Sequence, residues 1–428
     1  MSSLLAVSAT VLGVALVGLV PTRRRLRVRP RRRPAARRRS AGLGGVVLLM
    51  SVSLVAQPAW WPVVRGGPGP GKSPPGHPLN EDEELHRELV RRGRRHPGDA
   101  PPLEATDTQV VAQLTGPESA NQTDRRWHVF GTDLGHMFWH AGRLYVVFGD
   151  TFGPTFGTDW RSSTMAWVDD PDPANGLQFS GMVTDHAGRA SELLPSQKVH
   201  GVEMTVIPTY GFSLGDRMVL HYMSVRHWES PGRWVVNYSG LAYSDDTGGT
   251  WVKHPTARWP GDSNFAQVAV VAHDRYRYLF GISAGRFGGV QLARVRPDEA
   301  LSIERYRYWT GSSWAADPGR AATVVPAPAG ELSVAWSSRH RLWLMLHLDE
   351  QRHGIVLRTA RQLTGRWSAP HLVVSALDHP QVYAPYIVPT GLDQASLYFT
   401  VSRYDPPYDV FLMRTTLRPR PSTPAPAV

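Results

Sequence analysis

The 428-residue chain contains no cysteine. A disulfide framework and any chemistry that uses a thiol are therefore excluded. Long helical segments are also poorly supported, because 40 glycines, 36 prolines and 15 tryptophans are typical of a chain with many short strands and turns. The length allows one large domain or two ordinary ones. Composition thus favours an all-β fold, and the cellular location has to be inferred from other features.

No acidic residue occurs between positions 23 and 39, a stretch that holds eleven arginines. These arginines account for the whole formal net charge of +11, so the basic character describes this stretch and not the rest of the chain. Apolar segments at 4–20 and 41–59 flank it, and each approaches the roughly 20 residues that a membrane-spanning helix needs. We therefore expect residues 1–60 to anchor the chain as a membrane hairpin, with the arginines on the cytoplasmic side.

An alternative for the same region is a signal peptide at residues 31–59, with a basic start, an apolar centre and small residues near its end. Either interpretation places everything after Trp60 outside the cytoplasm, on the cell membrane or secreted if the N-terminus is cleaved. A nucleic-acid partner is not expected, because the flanking apolar segments explain the arginines better.

Two further segments are predicted to lie outside any packed domain. Residues 61–104 form a tether rich in proline and glycine that contains a short helix at 81–95, where acids lead and arginines follow. Residues 418–428, RPRPSTPAPAV, are too rich in proline to pack and are predicted to be disordered.

Between residues 105 and 417 one pattern recurs five times: an apolar strand, a turn, a second apolar strand and, in most units, a third strand. The units repeat every 50 to 75 residues or so, which is typical of the blades of a β-propeller. We predict an all-β fold with a five-bladed β-propeller at 105–417. The segment TQVVAQL at 108–114 is expected to supply the missing edge strand of the last blade and so close the ring.

The first unit contains a hairpin with an aspartate near the open end of each strand. If Ala141 and Gly142 form a two-residue turn, Asp133 and Asp150 pair directly across the strands, with Cβ atoms about 4.5–5.5 Å apart. The other side chains of the hairpin are apolar on both faces, so we expect it to be buried. Repulsion between the two carboxylates then raises one pKa and leaves one group protonated near neutral pH. Hydrolysis of a glycosidic bond needs this combination of an acid and a base or nucleophile.

The alternative interpretation of this pair is structural. One aspartate caps a turn, and the other closes the strand with a bond from its side chain to the backbone. A separate motif, SDDTGGTW at 244–251, looks like an Asp box, a turn between outer strands found in sialidase-like propellers and elsewhere. There Asp246 is expected to hold the turn and Trp251 to pack between blades, so this aspartate is assigned a structural role.

Several segments together resemble the DUF4185 family of actinobacterial proteins: GTDLG at 131–135, FGDT at 148–151, HYMSV at 221–225, NYSGLAYSDD at 237–246 and YDVFLMR at 408–414. The resemblance covers roughly residues 105–417. Members are described as endo-D-arabinanases, which cut the α-linked D-arabinofuranose chains of mycobacterial arabinogalactan and lipoarabinomannan, and they are similar to five-bladed sialidase-like propellers. The resemblance implies that Asp133 and Asp150 match the family's proposed catalytic pair.

Four more residues are candidates for substrate binding. Glu203 opens the second unit as a third carboxylate or is a solvated strand end, and Gln267 opens the third unit. Arg286 lies among glycines that let a backbone approach a ligand, or it forms a structural ion pair. Tyr386 could stack on a furanose ring or belong to the core. We expect no cofactor and no catalytic metal.

The sequence therefore predicts a glycoside hydrolase, an endo-α-D-arabinanase acting on cell-wall arabinan. One alternative is a non-catalytic, carbohydrate-binding propeller on the cell surface, which would not need both aspartates. Another is a hydrolase of the same architecture that acts on a different furanoside or on a sialoside. Sialidases bind the substrate carboxylate with an arginine cluster. The inner strands of this chain supply few arginines besides Arg286, which argues against an acidic sugar.

Overall fold

The computed structural model describes residues 103–404 and 407–420. The apolar segments, the arginine stretch and the helix expected at 81–95 lie outside the described residues. Within the described part, no helix has the length and apolar character needed to cross a bilayer.

The strands in chain order are β1 (Leu103–Gln113), β2 (Gly131–His140), β3 (Arg143–Phe152), β4 (Thr164–Val168), β5 (Gly181–Met182), β6 (Thr205–Leu214), β7 (Arg217–Trp228), β8 (Trp234–Ser244), β9 (Val252–Pro260), β10 (Gln267–His273), β11 (Tyr276–Ile282), β12 (Gly288–Val295), β13 (Arg307–Trp309), β14 (Trp314–Ala315), β15 (Thr323–Ala329), β16 (Leu332–Ser337), β17 (Leu342–Asp349), β18 (Gly354–Ala360), β19 (His371–Ser375), β20 (Val382–Ile387), β21 (Ser396–Arg403) and β22 (Asp409–Pro419). One short α-helix, α1, spans Thr123–Trp127, and single 3-10 turns occur at Pro173–Asn175, Pro297–Glu299, Ile303–Arg305 and Pro318–Arg320.

These strands form five antiparallel sheets, one for each predicted unit. Blade 1 is β2–β5, blade 2 is β6–β9, blade 3 is β10–β15, blade 4 is β16–β19, and blade 5 combines β20–β22 with β1. The first strand of each unit is the inner one, and β2, β6, β10, β16 and β20 contact one another in a closed ring. The prediction of a five-bladed propeller is confirmed.

The two ends of the described chain close this ring. β1 pairs with β22 from Leu103 opposite Pro419 to Gln113 opposite Phe411. The predicted closing strand is confirmed, although it starts at Leu103, five residues before the segment expected from the sequence. At the other end β22 runs to Pro419, two residues into the segment assigned to the tail, and residues 421–428 lie outside the described residues.

The core lies between adjacent blades, because each sheet is apolar on both faces. Phe138 and Val147 of blade 1, for example, pack in one cluster with Val206 and Leu220 of blade 2. Burying one such side chain contributes about 1.5–3 kcal/mol. Trp139 is an exception to the prediction that the first hairpin is buried throughout: it lies near the turn and is 39% exposed.

The Asp box has the structural role expected of it. Asp246 accepts hydrogen bonds from the backbone N–H of Thr250 at 2.9 Å and from the hydroxyl groups of Ser244 and Thr250, each at 2.7 Å. These bonds lower the pKa of Asp246 to about 2. Trp251 packs against the cluster that joins blades 1 and 2. The turn therefore fixes how β8 and β9 meet the neighbouring blade.

Candidate active site

Asp133 is the third residue of β2, and an irregular stretch of the first hairpin positions it. The predicted turn is confirmed, with positive φ at Ala141 (47°) and Gly142 (78°). The predicted register holds near the turn and again at Thr132 opposite Thr151. Two register shifts lie between, on either side of the pairing of Leu134 with Phe148.

These shifts correct the expectation that the two aspartates pair directly. One residue, Asp133, faces two residues of β3, Gly149 and Asp150. Leu134 and Gly135 have positive φ (68° and 85°), which marks a β-bulge on the β2 side. The Asp133 carboxylate lies over Gly149, in space that a Cβ atom would occupy. A glycine at this position therefore allows the carboxylate to lie against the neighbouring strand.

Two tyrosines of blade 5 hold the Asp133 carboxylate. The Tyr383 hydroxyl donates to Oδ2 at 2.8 Å, and Tyr408 also hydrogen-bonds to this group. Oδ1 is buried and has no hydrogen-bond partner among the described residues. Burial is the main cause that raises the pKa of Asp133 to about 7, the charge of Asp150 raises it further, and the tyrosine bonds offset part of the rise. Asp133 is nevertheless partly exposed, so it can be reached from the surface.

Asp150 lies deeper and has different partners. Its Oδ1 accepts a hydrogen bond from Trp160 Nε1 at 2.7 Å and another from the Thr205 hydroxyl at 2.5 Å. The residue is 7% exposed. Burial raises its pKa to about 6, while the two hydrogen bonds and the positive charge of Lys198 lower it. The two donors and the ammonium group of Lys198 therefore favour the ionised form of Asp150.

Lys198 lies over the ring of Trp160, the residue that donates a hydrogen bond to Asp150. The Lys198 Nζ lies 5.1 Å from the centre of that ring and donates to Glu192 at 2.5 Å and to Ser162 at 2.5 Å. The ammonium group is thus fixed by an acid and a hydroxyl beside the tryptophan that bonds to Asp150. Its charge favours the ionised form of that aspartate, and the charge of its partner Glu192 offsets part of this effect.

Arg286 and Glu331 form a buried ion pair beside Tyr383. Arg286 Nε and Nη2 donate to Glu331 at 2.9–3.2 Å, and the two side chains are 7% and 8% exposed. The guanidinium carbon lies 4.7 Å from the centre of the Tyr383 ring. The Glu331 charge also raises the pKa of Asp133. The pair therefore supports the tyrosine that bonds to Asp133, and the ion-pair interpretation of Arg286 matches the contacts.

None of the other sequence candidates hydrogen-bonds to either aspartate in the described part of the chain. Glu203 accepts a bond from the Ser224 hydroxyl at 2.7 Å and lies 3.9 Å from Lys253. Gln267 is buried and donates to the carbonyls of Ser283 and Gly285. Tyr386 is buried too, with its ring edge-on to His136 at 5.6 Å. Whether these three bind substrate stays a prediction.

Sequence reasoning missed the residues that hold the two carboxyl groups: Thr205, Trp160, Tyr383, Tyr408 and Glu331. Most of them begin the inner strands or lie just beside them. The first residues of the inner strands meet at one face of a propeller, because every blade starts with its inner strand. This rule, applied to each unit in turn, could have selected Thr205, Glu331 and Tyr383. The loop residue Trp160 carries no comparable signal.

The described residues contain no group of three His, Asp or Glu side chains that could hold a metal ion. His136 and His140 are four residues apart on β2, a distance of about 13 Å in a strand. His136 stacks on Tyr210 at 5.6 Å, and burial lowers its pKa to about 3. His140 instead bonds through Nδ1 to the Ser213 hydroxyl at 2.7 Å. The two imidazoles are therefore far apart and have different contacts.

Fold and site together define a five-bladed β-propeller with two interacting carboxyl groups where the inner strands begin. The family model DUF4185, described as a domain of unknown function, matches residues 118–414. The chain belongs to this family, as the sequence resemblance indicated.

Among individual proteins, the chain is similar to notoamide biosynthesis cluster protein J of Aspergillus sp. (strain MF297-2). The two are 29% identical over an alignment of 308 positions, and the alignment covers 66% of this chain and 82% of the relative. A family 117 glycoside hydrolase of the marine bacterium Zobellia galactanivorans has a similar fold, with a TM-score of 0.42 and 12% identity over 76% of this chain and 93% of its own. The catalytic domain of the GH62 α-L-arabinofuranosidase of Coprinopsis cinerea gives 0.39 and 13% over 74% and 97%. These structural similarities are too distant to identify a substrate.

Proposed function

We propose that the protein is a glycoside hydrolase, and specifically an endo-α-D-arabinanase that cleaves D-arabinofuranose linkages in cell-wall arabinan. The observation that carries the proposal is the coupling of Asp133 and Asp150 at the face where the inner strands begin. Burial raises the pKa of both carboxyl groups, and the charge of Asp150 adds to the rise at Asp133. Two carboxyl groups in this relation supply the acid and the base or nucleophile of glycoside hydrolysis.

The surroundings of the two groups favour one assignment of roles. Asp133, with a pKa of about 7, is the general acid that gives its proton to the leaving glycosidic oxygen. Asp150, with a pKa of about 6, two donors on one oxygen and Lys198 nearby, is the carboxylate. It either attacks the anomeric carbon or takes a proton from the attacking water. Carboxyl separations of about 5–5.5 Å and 6.5–9.5 Å correspond to retention and inversion.

The charges around the site favour a neutral sugar. Two nitrogens of Arg286, Nε and Nη2, are committed to Glu331, and the remaining nitrogen, Nη1, lies 3.8 Å from Glu350. This guanidinium is therefore already paired and is not placed to receive a substrate carboxylate. The arabinan assignment further relies on the family to which the chain belongs. An extracytoplasmic location, expected from residues 1–60, would bring the propeller to this substrate.

The test is to incubate the purified full-length protein with mycobacterial arabinogalactan and to analyse released sugars by chromatography and mass spectrometry. Short arabinose oligomers are expected from the wild type and none from Asp133→Asn or Asp150→Asn. Asp216→Asn, which changes an exposed carboxylate in the β6–β7 turn, is the matched control and should retain activity. Equal release by all four proteins would exclude the aspartates as catalytic groups. Binding without release by the wild type would favour the carbohydrate-binding alternative.

A further inference from the structure

An aromatic side chain is exposed beside the two aspartates. Phe156 is 52% exposed, although it lies in the loop between β3 and β4 that also carries Trp160. Exposing a phenylalanine is unfavourable by the hydrophobic effect, and exposed apolar surface that adjoins a site commonly marks a binding function.

The loop presents this ring in a fixed orientation. The N–H of Thr158 donates to the carbonyl of Thr155 at 2.9 Å, and Gly157 between them has a φ of 85°. These features define a type II turn with Phe156 at its first central position and a glycine where positive φ is required. The Thr158 hydroxyl also donates to the Thr155 carbonyl at 2.6 Å, and the Thr158 carbonyl accepts from the N–H of Gly153. The tip is therefore an ordered turn.

The ring of Phe156 belongs to an aromatic cluster that reaches both aspartates. Its centre is 4.4 Å from that of Phe152, 5.5 Å from that of Tyr408 and 6.2 Å from that of Tyr404. Phe152 in turn lies 5.9 Å from Trp160. Tyr408 hydrogen-bonds to Asp133, and Trp160 to Asp150. One layer of rings thus joins the exposed phenylalanine to the partners of both carboxyl groups.

We propose that Phe156 forms the floor of a glycan-binding subsite, on which a sugar unit next to the cleaved linkage stacks its ring. The inference builds on the proposed function and adds a binding residue to it. The face of an aromatic ring is negative and attracts the weakly positive C–H groups of a sugar. A neutral furanose presents such groups and needs no charged partner. A protein partner fits less well, because a stable interface buries about 800 Å² on each side and this feature is a single ring beside the site.

The experiment measures binding separately from hydrolysis. In full-length protein carrying Asp133→Asn, the affinity for arabinan oligosaccharides is measured by isothermal titration calorimetry, with and without Phe156→Ala. We expect Phe156→Ala to weaken binding about tenfold, which corresponds to about 1.4 kcal/mol. Phe156→Trp should retain the affinity. Trp139→Ala removes an aromatic side chain of similar exposure, 39%, near the turn at the far end of β2, and should leave binding unchanged.

Each outcome separates this inference from the proposed function. If the Asp133→Asn protein binds with equal affinity with and without Phe156→Ala, the subsite is overturned and the proposed hydrolysis is not affected. A loss of affinity in Phe156→Ala, together with no hydrolysis by protein that retains Asp133, supports the subsite and overturns the enzymatic role. A wild-type protein that neither binds nor cleaves arabinan overturns both. Circular dichroism of each variant verifies that the fold is retained.

Discussion

Replacing Tyr383 by phenylalanine tests whether blade 5 sets the protonation of the acid in blade 1. The Tyr383 hydroxyl donates to Asp133 Oδ2 at 2.8 Å, and this bond lowers the pKa of the carboxyl group because it favours the charged form. A hydrogen bond to a charged group contributes about 1.5–3 kcal/mol, and about 1.4 kcal/mol corresponds to a pKa change of 1. Tyr408 remains as a donor and compensates in part. We therefore expect the pKa of Asp133 to rise by about 1.

The consequence is a displaced alkaline limb in the pH profile of kcat/KM. With Asp133 as acid and Asp150 as carboxylate, activity falls below pH 6 or so, where Asp150 gains a proton, and above about pH 7, where Asp133 loses one. Tyr383→Phe should move the alkaline midpoint upward from about 7 to about 8 and leave the acid limb in place. Tyr386→Phe removes a nearby buried hydroxyl that does not bond to Asp133, so its alkaline limb should coincide with the wild type. An acid limb that moves while the alkaline limb stays would refute the assignment of roles.

Three further changes test the surroundings of the site. Asp409 is 1% exposed, and burial raises its pKa from 3.8 to about 8. Its contribution to stability is therefore present below pH 3.8 and is lost as pH rises through about 8. Asp409→Asn should flatten the decline in Tm across this window, and an unchanged slope would contradict the expectation. Gly149→Ala places a Cβ atom where the Asp133 carboxylate lies and against the buried Leu134 side chain, so activity on arabinan should fall by about a hundredfold or more and the overpacking should cost about 1–3 kcal/mol of stability, seen as a lower Tm. Glu331→Gln leaves Arg286 without its main partner and should reduce the free energy of unfolding by about 3–5 kcal/mol in urea titrations, whereas the double change Glu331→Leu with Arg286→Met should cost less.

The architecture could be predicted because it follows from local patterns. Pairs of apolar strands repeat along the chain, and the Ala141-Gly142 turn sets the register of the first hairpin. The closing strand could be predicted because the last unit shows three strands and the apolar segment at 108–114 precedes the first unit. Its start at Leu103 was missed, since polar residues such as Glu104 and Thr106 do not resemble a strand that is buried on both faces.

The environment of the acids could not be predicted in the same way. The bulge at Leu134 and Gly135 depends on backbone angles that a pattern of apolar residues does not encode. The donor Tyr383 is separated from Asp133 by 250 residues, and nothing in the first unit indicates which side chain of the last unit will meet it. Direct pairing of the aspartates was the simplest extension of a regular hairpin. The register shifts replaced it with a staggered arrangement that retains the electrostatic coupling.

The candidate site lies where blades 1 and 5 meet, so the strand that closes the ring also affects the site. Asp133 belongs to blade 1, while Tyr383 and Tyr408, which hold it, belong to blade 5 or adjoin it. The backbone joins the two blades at the same place, since the N–H of Thr132 donates to the carbonyl of Tyr408 at 2.9 Å. Blade 5 is complete only when β1 adds to β22, so the geometry around Asp133 depends on the pairing of these two strands. The pKa of the acid is therefore a property of the closed ring, because neither the first hairpin nor the last blade alone supplies both the carboxyl group and its donors.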